Sequence, residues 1–162
     1  MQAIAGPKYY KYMKVNAVGK EFSEVQRAYL AGFLDADGAI MAVIEKHQEK
    51  KFGFRVRVII KITQRDRKVL DWFMKNFRFG AVRQNRTTHD WIIKDQKVAL
   101  NLLRMVNPYL KAKHRQAKIA QEILNFSINS RGDLLKVARL ADTLSSFNVR
   151  SENRRKNFMA MI

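Results

Sequence analysis

The 162-residue sequence contains no cysteine. Without cysteine the chain cannot form disulfides, thiol nucleophiles or cysteine-based zinc sites. No apolar run approaches the roughly 20 residues that a membrane-spanning helix needs. The first residues also lack the long apolar core and the small-residue cleavage site of a secretory signal. The sequence therefore predicts a protein that uses no thiol chemistry, does not span a membrane and is not secreted.

Acidic residues are also scarce, and the resulting charge is the first functional indication. Lysine and arginine number 32 against 14 aspartate and glutamate, which gives a formal net charge of +18. Apolar residues make up 47% of the chain, enough for the core of one domain. A domain this basic repels itself, so a polyanionic partner is expected. Nucleic acid is favoured over an anionic membrane surface.

The apolar pattern predicts an α+β domain over residues 23–147, with a basic arm over residues 1–22 and a C-terminal tail over residues 148–162. Ser23 and Gln26 predict a capping box at the start of a helix that ends near Gly38. Residues 39–46 and 54–63 alternate and predict two strands. Further helices are predicted over 67–77, 97–106, 111–126 and 133–147, and a second hairpin over 80–93 with its turn at 85–90. This order predicts a four-stranded antiparallel sheet backed by helices.

One face of the predicted sheet is basic. Arg55, Arg57 and Lys61 alternate with apolar residues and are expected to point away from the core. Nine lysines and arginines fall between Lys46 and Lys68, against only two acids. Alternating charges are often an ordinary solvated surface, but together with the net charge they favour contact with nucleic acid.

The segment Leu30-Ala31-Gly32-Phe33-Leu34-Asp35-Ala36-Asp37-Gly38 is unusual for a helix. Gly32 costs about 1 kcal/mol relative to alanine, which indicates that another backbone approaches closely. The helix then ends at Asp35 and Asp37, where the negative end of its dipole disfavours acids. A bound cation would relieve this conflict, although the two acids could simply cap the turn. The spacing of a helix-loop-helix calcium site is absent, and the three histidines are isolated.

This segment resembles the defining motif of the LAGLIDADG homing endonucleases at seven of nine positions. The two differences, Phe33 and Leu34, replace apolar residues with apolar residues. The resemblance extends in order over roughly residues 28–116, including Ile62-Thr63-Gln64 and the lysine-rich stretch from Pro108 to Ala117. It implies the αββαββα fold of these enzymes and cleavage of double-stranded DNA with Mg²⁺ or Mn²⁺.

The resemblance also implies roles for individual residues. In such enzymes two motif helices pack through small residues, which Ala28, Ala31 and Gly32 match. Asp37 matches the metal ligand, assisted by the backbone carbonyl of Ala36, while Asp35 is expected to brace the turn. Because the chain carries one motif and DNA has two strands, a homodimer on a pseudo-palindromic site is expected.

Other positions match catalytic and DNA-contacting residues of the family. Gln64 and Lys113 match residues that organise water and the scissile phosphate, and Lys68 matches a position that is often arginine. A strand-end hydrogen bond and a surface charge are the alternative roles of the first two. The expected DNA-contacting residues are Met41, Val43, Glu45, His47, Arg55, Arg57, Lys61, Thr63, Arg83, Asn85 and Arg86.

Two other functions fit the basic sheet face. An intron maturase or a non-catalytic nucleic-acid-binding protein of the same fold would keep it, and an RNA partner would follow for a maturase. A structural RNA-binding protein, such as a ribosomal component, fits the charge but not the acidic motif. The combination of Asp37, Gln64 and Lys113 favours a nuclease, expected in the cytoplasm of a prokaryote or in an organelle.

Overall fold

The computed structural model describes residues 22–148 and 156–162. The predicted basic arm lies outside this range except for Phe22, which is buried. Residues 149–155 of the predicted tail also lie outside it. Across the described residues, no helix has the length and apolar character needed to cross a membrane.

The helices and strands follow the predicted order. They are α1 (Glu24–Asp37), β1 (Gly38–Lys46), β2 (Phe54–Gln64), α2 (Lys68–Phe77), β3 (Ala81–Asn85), β4 (Thr88–Ile93), α3 (Gln96–Val106), α4 (His114–Asn125) and α5 (Arg131–Asn148). Short 3₁₀ turns cover Asn107–Tyr109 and Met159–Met161. The strands form one antiparallel sheet in the order β1-β2-β4-β3. The predicted α+β fold is therefore confirmed.

Helix α1 begins and ends as the sequence predicts. The Ser23 hydroxyl accepts the Gln26 N–H at 3.1 Å, and the Gln26 side chain accepts the Ser23 N–H at 3.0 Å, which is a complete capping box. At the other end Gly38 has ordinary extended backbone, with φ −89°. The glycine is required there for space, because a Cβ would lie 2.5 Å from the Leu34 carbonyl oxygen and 2.7 Å from its Cα.

Gly38→Ala is therefore expected to destabilise the protein by about 1–3 kcal/mol through overpacking against helix backbone that cannot yield. Denaturant unfolding measures this loss. Gly132→Ala is the matched control, because the nearest atom to its Cβ is the Ser130 hydroxyl at 3.6 Å. A Gly38→Ala protein as stable as the control would contradict the close packing at the end of α1.

The β1–β2 hairpin has the predicted faces. Gly38 pairs with Ile62 at one end of the ladder, and Glu45 pairs with Arg55 near the other. The inner face is buried and consists of Ile40, Ala42, Ile44, Val58, Ile60 and Ile62. The helices cover this face, so the opposite face of the sheet remains open.

The second hairpin is tighter than predicted. The expected turn over residues 85–90 is wrong, because Asn85 pairs with Thr88 and only two residues form the turn. Arg86 takes the left-handed conformation in this turn, with φ 54°. His89 and Asp90 resemble turn residues in sequence, yet both belong to β4 and pair with residues of β3. On the inner face Trp91 is fully buried and stacks on Phe73 of α2 at 5.1 Å between centroids.

Helix α4 begins at His114 instead of Lys111, so the predicted start was wrong by three residues. The backbone N–H groups of Lys111 and Lys113 donate to the Asp35 carboxylate, which holds this segment out of the helix. Helix α5 begins two residues earlier than predicted, at Arg131.

The end of the described chain packs against α5. Phe158 is 4% exposed and belongs to the core. The two carboxylate oxygens of Asp142 accept the N–H groups of Phe158 at 2.6 Å and Met159 at 3.1 Å. Asp142 thus fixes a distant chain segment through two backbone hydrogen bonds.

Candidate active site and nucleic-acid interface

The end of α1 and the end of β2 bring Asp37 and Gln64 together. Gly38 pairs with Ile62, so the residue before Gly38 lies beside the last residues of β2. The Gln64 amide donates to the Asp37 carboxylate at 2.6 Å. Asp37 and its neighbour Ala36 are exposed. The carboxylate is therefore oriented by a neutral donor and remains open to a ligand.

Lys113 contacts the same end of α1 through Asp35. Its backbone N–H donates to Asp35 Oδ1 at 2.9 Å, and the Lys111 N–H donates to Asp35 Oδ2 at 2.7 Å. The Lys113 ammonium also donates to the backbone carbonyl oxygen of Asp35. Asp35 thus braces the turn, as the sequence predicts, and in addition connects α1 to the segment before α4.

The donor atoms around Asp37 suit a hard divalent cation that is shared with other ligands. No group of three or more acids or histidines that could enclose a metal is found in the described ranges 22–148 and 156–162. Mg²⁺ is commonly held by one or two carboxylates together with substrate phosphates and water. The Asp37 carboxylate and the Ala36 carbonyl can supply the protein ligands of such a metal ion. The negative end of the α1 dipole also favours a cation there. The residues fit a metal site that a nucleic acid completes.

Lys68 is not brought into this group by hydrogen bonding. It is exposed at the first position of α2, and its backbone N–H donates to Asp66 at 2.9 Å. Within the described residues its ammonium makes no hydrogen bond to Asp37, Gln64 or Lys113. The catalytic role predicted for Lys68 therefore rests on the family resemblance alone.

The open face of the sheet carries most of the expected DNA-contacting residues. Alternation and register place one set of side chains on this face: Met41, Val43, Glu45, Arg55, Arg57, Lys61, Thr63, Arg83 and Asn85. Arg86 is exposed in the β3–β4 turn, and His47 follows β1, where it is half-buried. Nine of the eleven predicted residues thus share the open face of the sheet, and the other two, Arg86 and His47, lie at strand ends.

Glu45 binds two arginines on this face. Its Oε1 accepts from Arg55 Nε at 2.7 Å and pairs with Arg57 Nη2 at 2.9 Å. The hydrogen bond from Arg55 holds the pKa of the Glu45 carboxyl below its usual value, and Arg57 adds to this effect. Glu45 is directly opposite Arg55 and diagonal to Arg57, so the pairing follows from the strand register. Both arginines are held in defined positions before any ligand binds.

Asp90 is a buried acid on the same face that the sequence analysis did not identify. Its side chain is 7% exposed. It accepts from the Thr63 hydroxyl at 2.6 Å, from the Asn85 amide at 3.0 Å and from the Lys61 ammonium at 3.5 Å. The sequence pattern places Asp90 in a turn, whereas β4 begins at Thr88 and includes it. Extending the apolar segment Trp91–Ile93 backwards as a strand was the available signal, because it puts Asp90 on the face opposite Trp91. Asp90 therefore holds three of the expected DNA-contacting residues, Lys61, Thr63 and Asn85, in place through hydrogen bonds.

Helix α1 exposes a stripe of small and apolar residues. Val25 is 77% exposed and Tyr29 45%. Ala28 and Gly32 are also exposed. Apart from the adjacent residues and the backbone of α1 itself, no atom of the described residues lies within 4 Å of a Cβ built on Gly32. Ala31 is fully buried in the core of its own protomer, so its predicted place in a helix–helix interface is wrong. The side chains of Leu30, Ala31 and Leu34 form the inward face of this helix.

Comparisons with known proteins agree with this geometry. The sequence profile described as LAGLIDADG endonuclease matches residues 30–126. DNA endonuclease I-CreI of Chlamydomonas reinhardtii is 30% identical over 125 residues, which cover 74% of this chain and 77% of that protein. DNA endonuclease I-CvuI of Chlorella vulgaris is 30% identical over 124 residues with the same coverage.

Solved structures show the same fold. I-CvuI in complex with the I-CreI target, in the presence of Mg with the DNA not cleaved, superposes with a TM-score of 0.74 at 26% identity. The match covers 83% of this chain and 88% of that one. I-SmaMI, bound to uncleaved DNA in the presence of calcium ions, shares the fold at 20% identity with a TM-score of 0.69. This second match covers 83% of this chain but 48% of the I-SmaMI chain. The chain belongs to the LAGLIDADG endonuclease family.

Proposed function

We propose that this protein is a site-specific endonuclease that cuts both strands of DNA as a homodimer with divalent metal ions. The observation that carries the proposal is the exposed Asp37 carboxylate, hydrogen-bonded to Gln64 at 2.6 Å beside a basic sheet face. I-CreI and I-CvuI are named DNA endonucleases, and I-CvuI has been crystallised with DNA in Mg and in Ca. Mg²⁺ is proposed as the working ion, with Mn²⁺ as a substitute.

The residues at the end of α1 have different roles in the proposed cleavage reaction. Asp37 and the Ala36 carbonyl would hold the metal, which supplies the charge that activates water and neutralises the leaving 3′ oxygen. Gln64 orients the Asp37 carboxylate through its amide N–H, and its own amide oxygen remains available to accept a hydrogen bond from a water molecule. The Lys113 ammonium provides positive charge for the scissile phosphate.

Two copies of the chain are required because each carries one Asp37 and DNA has two strands. The exposed stripe with Ala28 and Gly32 offers the surface on which two α1 helices can approach closely. The match to 48% of the I-SmaMI chain supports this arrangement, since the present chain corresponds to about half of that longer one. A twofold-symmetric dimer predicts a pseudo-palindromic target.

The open sheet face is proposed to lie in the major groove. Arginine contacts to guanine are the commonest base-specific contacts, and Arg55 and Arg57 are held there by Glu45. Lys61, Thr63 and Asn85 form a second group around Asp90. Basic residues in turns, such as Arg86, are proposed to contact phosphates. An organelle or a prokaryotic cytoplasm remains the proposed location.

Cleavage of a random-sequence duplex library in Mg²⁺, followed by sequencing of the new DNA ends, tests this function without knowledge of the host gene. We expect ends that map to one consensus with inverted symmetry and that disappear in EDTA. Binding of a consensus without metal-dependent ends would overturn the nuclease assignment. That result would favour the second candidate, a non-catalytic binding protein or maturase, since the basic sheet face does not depend on Asp37.

Glu45→Gln is expected to reduce discrimination while strengthening binding to unrelated DNA. Loss of the carboxylate charge frees Arg55 and Arg57 to contact phosphates, and each additional phosphate contact steepens the slope of log affinity against log salt by about 1. The measurement is affinity for target and random duplexes over a salt series. Glu122→Gln on the exposed face of α4 is the charge-matched control. An unchanged ratio of specific to non-specific affinity would show that Glu45 does not position the arginines.

A further inference from the structure

Asp35 makes more contacts than a residue that only closes a turn requires. One oxygen of its carboxylate accepts the Lys111 N–H and the other accepts the Lys113 N–H, from a segment 76 and 78 residues away. Its backbone carbonyl oxygen accepts the Lys113 ammonium. Lys113 is thus attached to Asp35 twice, once through its backbone and once through its side chain.

These contacts explain the local conformation of the Lys113 segment. Lys113 is the N-cap residue of α4, yet its side chain makes no capping hydrogen bond. With its backbone N–H committed to Asp35, the residue keeps φ −105° and ψ 18° instead of joining the helix. The ammonium is therefore available at the end of α1 and is not directed along α4 into solvent.

The charge balance points the same way. An acid at the C-terminal end of a helix is disfavoured by the dipole, unless donors or cations compensate it. Asp35 has two N–H donors at its carboxylate and the Lys113 ammonium at its carbonyl. Asp142 provides a comparison, because it accepts two backbone N–H groups and, among residues 22–148 and 156–162, forms no ion pair. Asp35 differs because its backbone carbonyl also binds the Lys113 ammonium, and Asp35 is only two residues before Asp37 in the sequence.

We infer that Asp35 is a positioning residue for DNA cleavage, which sets the place of the Lys113 ammonium relative to Asp37. This inference rests on the proposed function, in which Lys113 acts on the scissile phosphate. Asp35 itself touches neither DNA nor metal in this account. Its replacement should slow the chemical step through Lys113 and leave recognition of the target unchanged.

A double-mutant cycle separates this role from a stabilising one. The single-turnover rate of cleavage is measured in Mg²⁺ for the wild type, Asp35→Asn, Lys113→Met and the double variant, with target affinity measured in Ca²⁺ and melting temperature recorded for each. We expect Asp35→Asn to slow cleavage about tenfold or more with affinity within about twofold of the wild type. The double variant should cut at the rate of Lys113→Met, because two residues that act through one interaction are not additive.

Asp142→Asn is the matched control, because it makes the same change at another carboxylate whose two oxygens each accept one backbone N–H group. It should lower the melting temperature without slowing cleavage. Multiplied single effects in the double variant, or an equal slowing in Asp142→Asn, would overturn the inference and leave the proposed function standing. An unchanged rate in Lys113→Met would instead refute the proposed role of Lys113, and the inference with it.

A milder variant covers the case in which Asp35→Asn does not fold. Lys111→Pro removes one N–H donor to Asp35 without altering the acid, and the preceding Leu110 already has the extended backbone, φ −68° and ψ 136°, that proline favours. Lys111→Ala is its control for the lost charge. Slower cleavage by the proline variant than by the alanine variant is expected, and equal rates would contradict the positioning role.

Discussion

Asp37→Asn is expected to abolish cleavage of both DNA strands while the protein continues to bind its target. The asparagine keeps the shape of the side chain. Its oxygen can still accept the hydrogen bond that the Gln64 amide donates to Asp37 at 2.6 Å. It loses the charge that would hold the metal. Metal ions supply several kcal/mol of charge stabilisation, so the rate should fall about a thousandfold or more.

Binding should survive this substitution and can even become tighter. A carboxylate without its metal repels the phosphates of DNA, so removal of the charge relieves that repulsion. The measurement combines strand-resolved cleavage in Mg²⁺ with affinity for the same duplex in EDTA. Double-strand cutting at the wild-type rate would refute the metal-ligand role. A loss of binding equal to the loss of cutting would indicate that Asp37 is structural.

Gly32→Leu is expected to convert the protein into a monomer that cannot cut both strands. Among the described residues, nothing outside the local backbone and the adjacent residues of α1 lies within 4 Å of a Cβ at this position, so the larger side chain meets no packed neighbour there. Leucine also has a higher helix propensity than glycine, so the protomer should fold at least as well. The cost arises only where a second α1 helix approaches, at about 1–3 kcal/mol or more per overpacked contact.

Analytical sedimentation measures the effect directly. The wild type should sediment at about twice 19.0 kDa, and Gly32→Leu near 19.0 kDa at the same concentration. Gly132→Leu is the matched control, since Gly132 is likewise exposed in a helix and its Cβ would make only an ordinary contact, at 3.6 Å, with the Ser130 hydroxyl. A wild-type monomer on DNA, or an unaffected dimer in Gly32→Leu, would contradict the proposed interface.

The first hairpin could be predicted from the sequence because its information is local. Alternation over Phe54–Gln64 fixes which side chains are buried, and the same alternation places Arg55 and Arg57 on the open face. The capping box of α1 is equally local, with Ser23 and Gln26 three residues apart. Such features need no knowledge of the rest of the chain.

Contacts between distant segments could not be predicted in this way. The start of α4 was misplaced because Lys111 and Lys113 donate to Asp35, which lies 76–78 residues earlier. Asp90 was placed in a turn because the lysine and threonine that surround it come from β2, 27–29 residues away. Small size suggested that Ala31 lies in an interface, but only its burial shows which face of α1 it occupies. The resemblance to a family supplied the site residues that local pattern alone left open.

A mixed dimer with one wild-type and one Asp37→Asn subunit tests most directly whether paired copies of Asp37 cut the two strands. Subunits with different tags are co-expressed, the mixed species is purified, and each labelled strand of the target is followed separately in Mg²⁺. We predict the loss of double-strand breaks, with one strand nicked if each Asp37 serves its own strand, or both strands impaired if a metal is shared. Double-strand cleavage by the mixed dimer at the wild-type rate would contradict a site built from two copies of Asp37.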